Sequence, residues 1–533
     1  MKVNPRREIV EEFLREGRRS RCGLECGSKA ELYAALAQDQ PAGSLLVCNG
    51  FKDEAFINLA LAGAQVGKQV IVVIEKLNEL RIVIRRMQET GLRPGIGLRA
   101  KLHSRGSGKW ASSGGEAAKF GLTTPELLEC VRLLREANLL DRLQLLHYHI
   151  GSQITDIKRI KNAFKEAARV YAKLRQLNVH VQYLDIGGGL GVDYDGSKTL
   201  FEASINYSLQ EFANGAIYTI KTVCDDEHVP HPDLVTESGR VMTAYHAVLV
   251  TSIRDEIETF ADNRPQVTID EDDGQVIVEL KELYEGISIK NYREYYHDAL
   301  EHKDELHTQF NLGLISLEDR AKGEVLFWEI CAKALKFSKT VQAPEEEFSE
   351  LKKILASKYL CNFSVFRSIP DSWAVGQLFP IMPIHRLNEL PADFATLVDV
   401  TCDSDGKVDK FVDLKDVKDV LELHPYTGDP YYLAVFLVGA YQEVMGSYHN
   451  LFGAPNEAHV VIDADGRYHI TRLVAGSRVG DMLTFARYDR EQLQQQFGQL
   501  VQQRVSAGLL TPAAAEALTR EYAANVGGCT YLE

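Results

Sequence analysis

The chain has 533 residues, is 45% hydrophobic and 25% charged, and carries a formal net charge of -15 at a pI near 5.6. This length accommodates two to four domains with a large core, and the acidic balance excludes broad phosphate-backbone binding of nucleic acid, which needs a basic face. No run of about 18 apolar residues exists, so no transmembrane helix and no membrane partner are expected. No apolar signal region opens the chain. The nine cysteines are scattered without a CxxC pair or zinc spacing, the pattern of reduced thiols in a cytoplasmic protein.

In chain order, Asn4 is placed to cap a first helix, with Pro5 at its first position and Ile9, Val10, Phe13 and Leu14 as its apolar stripe. Ser28 and Glu31 form a capping box for a second helix, and Thr124-Pro125 opens another. Short apolar runs at 21–25, 44–48, 69–75, 95–100, 143–150, 180–186 and 233–237 read as strands, each followed by a helical pattern or a glycine-rich turn. Such alternation predicts a parallel sheet with helical crossovers over residues 1–245. A closed (β/α)8 TIM-like barrel needs eight strands. The chain opens directly on a loop and helix, so the first strand is expected to be missing, with Lys2 at its C-terminal end. That edge is where such barrels carry their chemistry.

Residues 246–360 are expected to hold a link strand (246–253) and an insertion of two to four helices, one of them starting at Ser316 to Asp319. Residues 361–486 turn β-rich, with runs such as FSVFRSI, FPIMPI, ATLVDVTC and HVVIDADGRYHITRLV, and predict a smaller antiparallel β domain. A polar helical tail, 487–533, ends the chain.

Several motifs can carry chemistry. In LDIGGGLG (184–191) a strand runs into Gly187, Gly188 and Gly189, where backbone can approach a phosphate; neither P-loop nor dinucleotide spacing is present, and tight packing explains such a turn equally well. In HYHIGSQ (147–153) His147 and His149 share one strand face. No carboxylate or cysteine lies at ligand spacing in that segment, so metal binding is disfavoured there against a core or ring-stacking role. ESGR (237–240) ends the last barrel strand and offers Glu237 to a pyridinium N–H, Gly239 at the turn, and Arg240 to a phosphate; alone it reads more readily as a surface salt bridge. TCDSDG (401–406) and the segment around Tyr441 read alone as an acidic turn and ordinary packing. Together, a lysine, a phosphate loop, a stacking histidine, a carboxylate and an arginine at one barrel edge are what pyridoxal phosphate requires.

The chain resembles the biosynthetic arginine decarboxylases, of the fold-type III pyridoxal-phosphate enzymes, along essentially its whole length. The carrying motifs are GLECGSKAEL (23–32), GSGKWASSGGEAAKFGL (106–122), LHYHIGSQ (146–153), LDIGGGLGVDYDG (184–196), ESGR, TCDSDG and VGAYQEVMGSYHNLFG (438–453), and the helical insertion marks the same branch. The resemblance implies pyridoxal 5'-phosphate bound as a Schiff base to Lys2, stacked by His149 and paired at its ring nitrogen with Glu237. Ser152, Gly187, Gly188, Gly189, Gly239, Arg240 and Tyr441 would hold the cofactor and its phosphate. Cys402 would be the acid that reprotonates the substrate carbon, and Asp403 would bind the substrate's distal cation, with Asp405 and Asp371 as further candidates. It also implies Mg2+ and a homodimer or larger homo-oligomer with shared sites. The implied reaction is decarboxylation of arginine to agmatine for polyamine synthesis. Two alternatives stand beside it: an N-terminally truncated, inactive or partner-dependent homologue, and a decarboxylase of ornithine, lysine or diaminopimelate.

Overall fold

The computed structural model describes residues 1–533 apart from 105, 107–114, 116–117, 258–266, 269, 271–272, 342–347 and 414–416; most of the 106–122 motif thus lies outside the described residues. All seven expected strands form one sheet in sequence order: β1 (Leu24–Cys26), β2 (Leu45–Cys48), β3 (Gln69–Ile74), β4 (Gly95–Arg99), β5 (Leu143–His147), β6 (Tyr183–Asp185) and β7 (Asp233–Val235). Every neighbouring pair is parallel. Parallel strands need crossovers; α1 (Arg7–Glu16) precedes β1, and α2 (Lys29–Leu36), α3 (Glu54–Gln65), α4 (Leu77–Thr90), α5 (Thr124–Glu136), α6 (Ile157–Gln176) and α7 (Leu209–Asp226) supply them.

Alternate strand residues serve two cores. Leu46, Cys48, Val70, Val72 and Ile96 pack under the helices. Val47, Ile71, Val73 and Leu145 form a separate cluster on the opposite, inner face. Gly95 and Gly97 leave room there: a Cβ on Gly97 would lie 2.9 Å from Val73 and 3.0 Å from Leu145. This two-sided burial is the mark of a sheet curling around its own interior. The sheet path runs from β1 to β7 without pairing the two ends. Residues 1–3 lie between those ends. The Met1 ammonium donates to Glu25 O at 2.8 Å, and Val3 packs against Gly239, just past β7.

Asn4 does not cap α1. Its carboxamide accepts from Arg6 N–H and donates to Gly439 O at 3.0 Å, so it ties the chain start to a distant loop, and Arg6 stands at the cap without a side-chain bond. α5 is capped one residue earlier than expected, by Thr123 with Glu126. Ser28 caps α2 as expected.

The insertion holds α9 (Gln275–Gly286), α10 (Tyr292–Asn311), α11 (Leu317–Thr340) and α12 (Ser349–Leu355), after the short α8 (Gly239–Thr243). Ser316 and Asp319 cap α11 reciprocally at 2.9 and 3.0 Å. Leu280, Leu306, Leu326 and Ile330 are among its core residues.

The second sheet is mixed rather than purely antiparallel. The 249–257 strand, β8 (Leu249–Ile257), pairs antiparallel with Tyr431–Val435 and with β9 (Ser357–Cys361), but β9 runs parallel to Asp393–Val398. β8 is therefore an inner strand of this sheet and not a passive link. FSVFRSI is helical, Val365–Ser368, followed by Pro370–Val375. Ser364 caps the first turn from 3.3 Å and Pro370 starts the second; the apolar run that mimics a strand is a buried pair of helical turns. Val192, Tyr194 and Ala203, from the loop after β6, enter the core of the second sheet with Tyr359 and Leu433, and Tyr194 meets Phe379 edge-on at 5.7 Å. The C-terminal edge of β1–β7 is thus pressed against the second sheet. The tail is helical, Arg490–Ser506 and Pro512–Asn525.

Candidate active site

The loops leaving β5, β6 and β7 are knitted together by main-chain contacts that only glycine permits. Gly187 has φ +66, and a Cβ there would lie 2.2 Å from Tyr148 O. A Cβ on Gly188 would lie 2.7 Å from Glu237 O, and one on Gly189 2.5 Å from Gly151 O. Glu237 N–H donates to Gly187 O at 2.9 Å and Ile154 N–H to Gly189 O at 3.0 Å. The three glycines thus set the spacing of three loops on which His149, Ser152, Glu237 and Arg240 sit. Gly187→Ala is expected to lower stability by about 3 kcal/mol or more, because it combines a backbone clash with a left-handed φ; thermal unfolding of the purified variant measures it.

Arg240 is buried, on α8, and donates from Nη1 to the Tyr194 hydroxyl at 3.0 Å and from Nη2 to Ser152 Oγ at 3.1 Å. Its guanidinium stacks 4.8 Å from the Tyr441 ring. Tyr441 holds a left-handed φ of 69 and donates its N–H to Val3 O at 3.1 Å, which places Lys2 between Glu25 and Tyr441. His149 lies within electrostatic reach of Lys2; desolvation, then Arg99, Lys2 and His147, holds its pKa well below the usual histidine range. A neutral, flat ring therefore faces this edge. Glu237 is half-buried and accepts from Asn49 Nδ2 at 2.6 Å. Desolvation and the adjacent Asp185 push its carboxyl up to about 8.

Asp371 is buried and accepts from Gln442 Nε2 at 2.8 Å, beside Tyr441, and lies within electrostatic reach of Tyr194. Cys402, Asp403 and Asp405 are not gathered with these groups. Cys402 is exposed, its Sγ 3.2 Å from Asn450 Nδ2. His449 stands 3.4 Å from Asp403, and Trp373 Nε1 donates to Asp405 at 3.3 Å. Gly376, nearby, ends its helix in the left-handed conformation with φ 60, a place where a side chain would be strained.

Sequence reading passed over the groups that support this edge. Arg99, at the end of β4, is ion-paired with buried Glu75 at 3.2 Å. Lys52 Nζ, with Glu79 3.6 Å away, is bound to Val73 O. Asn49 and Asp185 lie behind Glu237, together with His147, whose expected core role this matches. Only their position at strand ends hints at this.

The edge fits pyridoxal phosphate. A lysine amine, a neutral ring, a carboxylate and a buried arginine lie at this edge, and Asn49 Oδ1, His147 Nδ1 and Asp185 Oδ2 are buried without a completed hydrogen bond. Magnesium does not fit equally. The two groups of three metal-ligand side chains among the described residues are His147, Asp185, Glu237 and Glu279, His302, Glu305, and each includes an imidazole where magnesium prefers oxygen. No step is assigned to it.

Such a fold and site define a pyridoxal-dependent decarboxylase, and residues 1–244 match the family model for a pyridoxal-dependent decarboxylase, pyridoxal binding domain. Residues 270–352 match the arginine decarboxylase helical bundle domain and 479–532 its C-terminal helical extension. The chain is 48% identical to a biosynthetic arginine decarboxylase of Deinococcus radiodurans, covering 100% of this chain and 81% of that one. It is 44% identical to one of a Nostoc species, covering 100% and 78%. The crystal structure of the biosynthetic arginine decarboxylase of Campylobacter jejuni matches with TM-score 0.86 at 34% identity, covering 100% and 85%. A Helicobacter pylori diaminopimelate decarboxylase, at 15% identity and TM-score 0.56, shares the fold over 90% of this chain and 88% of that one. The chain belongs to the biosynthetic arginine decarboxylase family.

Proposed function

We propose that this chain decarboxylates L-arginine to agmatine and CO2, for polyamine synthesis, with pyridoxal phosphate at the C-terminal edge of β1–β7. The observation that carries this is the convergence of Lys2, His149, Glu237 and Arg240 on that edge in a chain of this family. Bound there, the cofactor supplies an electron-accepting ring that stabilises negative charge on the substrate carbon as CO2 departs.

The chain's own residues do the rest. Lys2 offers the amine for covalent attachment. His149 would lie against the ring face, where its neutrality would avoid repelling a protonated pyridine. Glu237 holds the ring nitrogen's proton. Arg240, backed by Ser152 and Tyr441, binds phosphate with its planar fork, while Gly187, Gly188, Gly189 and Gly239 bring backbone close to it. Asp371 lies beside this group. Cys402 is exposed, and Cys402, Asp403 and Asp405 contact Asn450, His449 and Trp373 rather than the groups above, which suits service to a second copy of the chain: Cys402 would return a proton to the substrate carbon, and Asp403 and Asp405 would pair with the guanidinium. We therefore read the enzyme as a homodimer or larger assembly. All nine cysteines are free, in keeping with a reducing cytoplasm. No helix of the described residues is long and apolar enough to cross a membrane.

Substrate choice is tested by measuring CO2 release from arginine, ornithine, lysine and diaminopimelate. Arginine is expected to be preferred by roughly a hundredfold or more, the scale on which unpaired polar groups reject an analogue. Preference for another amino acid overturns the substrate assignment, and release from none of them points to a chain that works only with a partner.

A further inference from the structure

Behind Glu237 lie two groups that the reaction as described leaves unused. Asp185 ends β6 and His147 ends β5; they are 0% and 1% exposed. Asp185 Oδ1 accepts the Gly187 N–H at 2.9 Å. Its other oxygen, Oδ2, stands 3.1 Å from His147 Nδ1 without completing a hydrogen bond to it, and the Asp185 carboxyl also lies within hydrogen-bonding reach of that of Glu237. The titrating atoms of His147, Asp185 and Glu237 all lie within 4.8 Å of one another.

Two carboxylates so close in a low-dielectric interior do not readily ionise together. The elements around them add charge of both signs: Glu25 from β1, Glu75 after β3, and Arg99 from β4. Desolvation raises both the Asp185 and the Glu237 carboxyls and lowers the His147 imidazole; a protonated ring nitrogen facing Glu237 would favour its ionised form and leave the proton to Asp185. With the imidazole's own proton on Nε2, one further proton placed between Asp185 Oδ2 and His147 Nδ1 satisfies both orphaned atoms at once and leaves the pair without net charge.

We propose that His147 and Asp185 hold one proton between them, so that Glu237 alone faces the cofactor's ring nitrogen as a carboxylate. Both are positioning residues that act through Glu237, and the inference rests on the assignment of Glu237 made above. Asparagine at 185 is the neutral image of the protonated acid. It keeps an oxygen for Gly187 and offers an N–H to His147. Because the pair is already neutral, Asp185→Asn leaves the charge behind Glu237 unchanged. If instead Asp185 is ionised, the same change removes a negative charge, and a nearby ring nitrogen then loses its proton at lower pH.

The test uses the full chain with 4'-deoxypyridoxine 5'-phosphate, which lacks the aldehyde and so reports ring protonation by its absorption without bonding to Lys2. In Asp185→Asn the bound ring is expected to titrate within about half a pH unit of the unmodified protein. A fall of about one unit or more, a tenfold change in proton affinity, overturns the proposal. A second, independent reading comes from infrared spectra at mildly acidic pH, where the unmodified protein should show a protonated-carboxyl band that Asp185→Asn removes; persistence of the whole band overturns it. If the asparagine variant does not fold, the infrared band is read in Glu237→Gln instead: its persistence there is expected, because Asp185 carries the proton, and its loss overturns the proposal. Glu237→Gln separates the underlying assignment from the proposal. It should lower the bound ring's titration by about one unit or more, and an unchanged titration removes Glu237 from the ring nitrogen and the proposal with it.

Discussion

Replacing Lys2 with alanine is expected to lower arginine decarboxylation by about a thousandfold or more, or ~4 kcal/mol of barrier, without lowering the melting temperature. The Lys2 side chain is exposed and makes no hydrogen bond or ion pair among the described residues, so its loss removes nothing that holds the fold. Its backbone is nevertheless fixed on both sides, by Met1 on Glu25 and by Tyr441 on Val3. A reactive amine needs this combination of a free tip and a held base, because misplacement by an ångström already lowers rate steeply. Arginine at this position keeps the charge but cannot form the covalent link, and should be as inactive as alanine. Initial rates at saturating arginine and cofactor, with thermal melts alongside, measure both halves. Retention of more than a tenth of the activity in the alanine variant contradicts the role.

Arg240→Met is expected to weaken cofactor binding by about ten- to a hundredfold, since a charge-assisted hydrogen bond contributes about 1.5–3 kcal/mol. The residue is buried among Ser152, Tyr194 and Tyr441. Methionine keeps the volume and removes the fork. Arg240→Lys retains the charge without the planar geometry and should fall between the two. Cofactor titration followed by fluorescence gives the affinity, and part of the lost rate should return at high cofactor concentration. A variant that binds cofactor normally but turns over slowly would place Arg240 on the substrate instead.

The strand order was legible because the strands are short runs, buried on both faces in β2 to β5, and because glycine follows where loops must touch. Lys2, His149, Glu237 and Arg240 could be read as one set because barrel topology brings strand ends together however far apart they lie in sequence. The support behind them was not legible. Asp185, His147, Arg99 and Glu75 come from four strands, and their pairings depend on register rather than on local pattern. FSVFRSI misled because a short run whose apolar residues are Phe363, Val365, Phe366 and Ile369 satisfies a buried helical turn as well as a strand. Asn4 misled because its bond to Gly439 spans 435 positions and outcompetes the local cap.

The central claim is that pyridoxal phosphate bonds to Lys2. Borohydride reduction of the cofactor-loaded protein, followed by proteolysis and mass mapping, tests it most directly. The reduced pyridoxyl group is predicted on the N-terminal peptide, at Lys2. Finding it on any other lysine, or finding no stable adduct, would contradict the account.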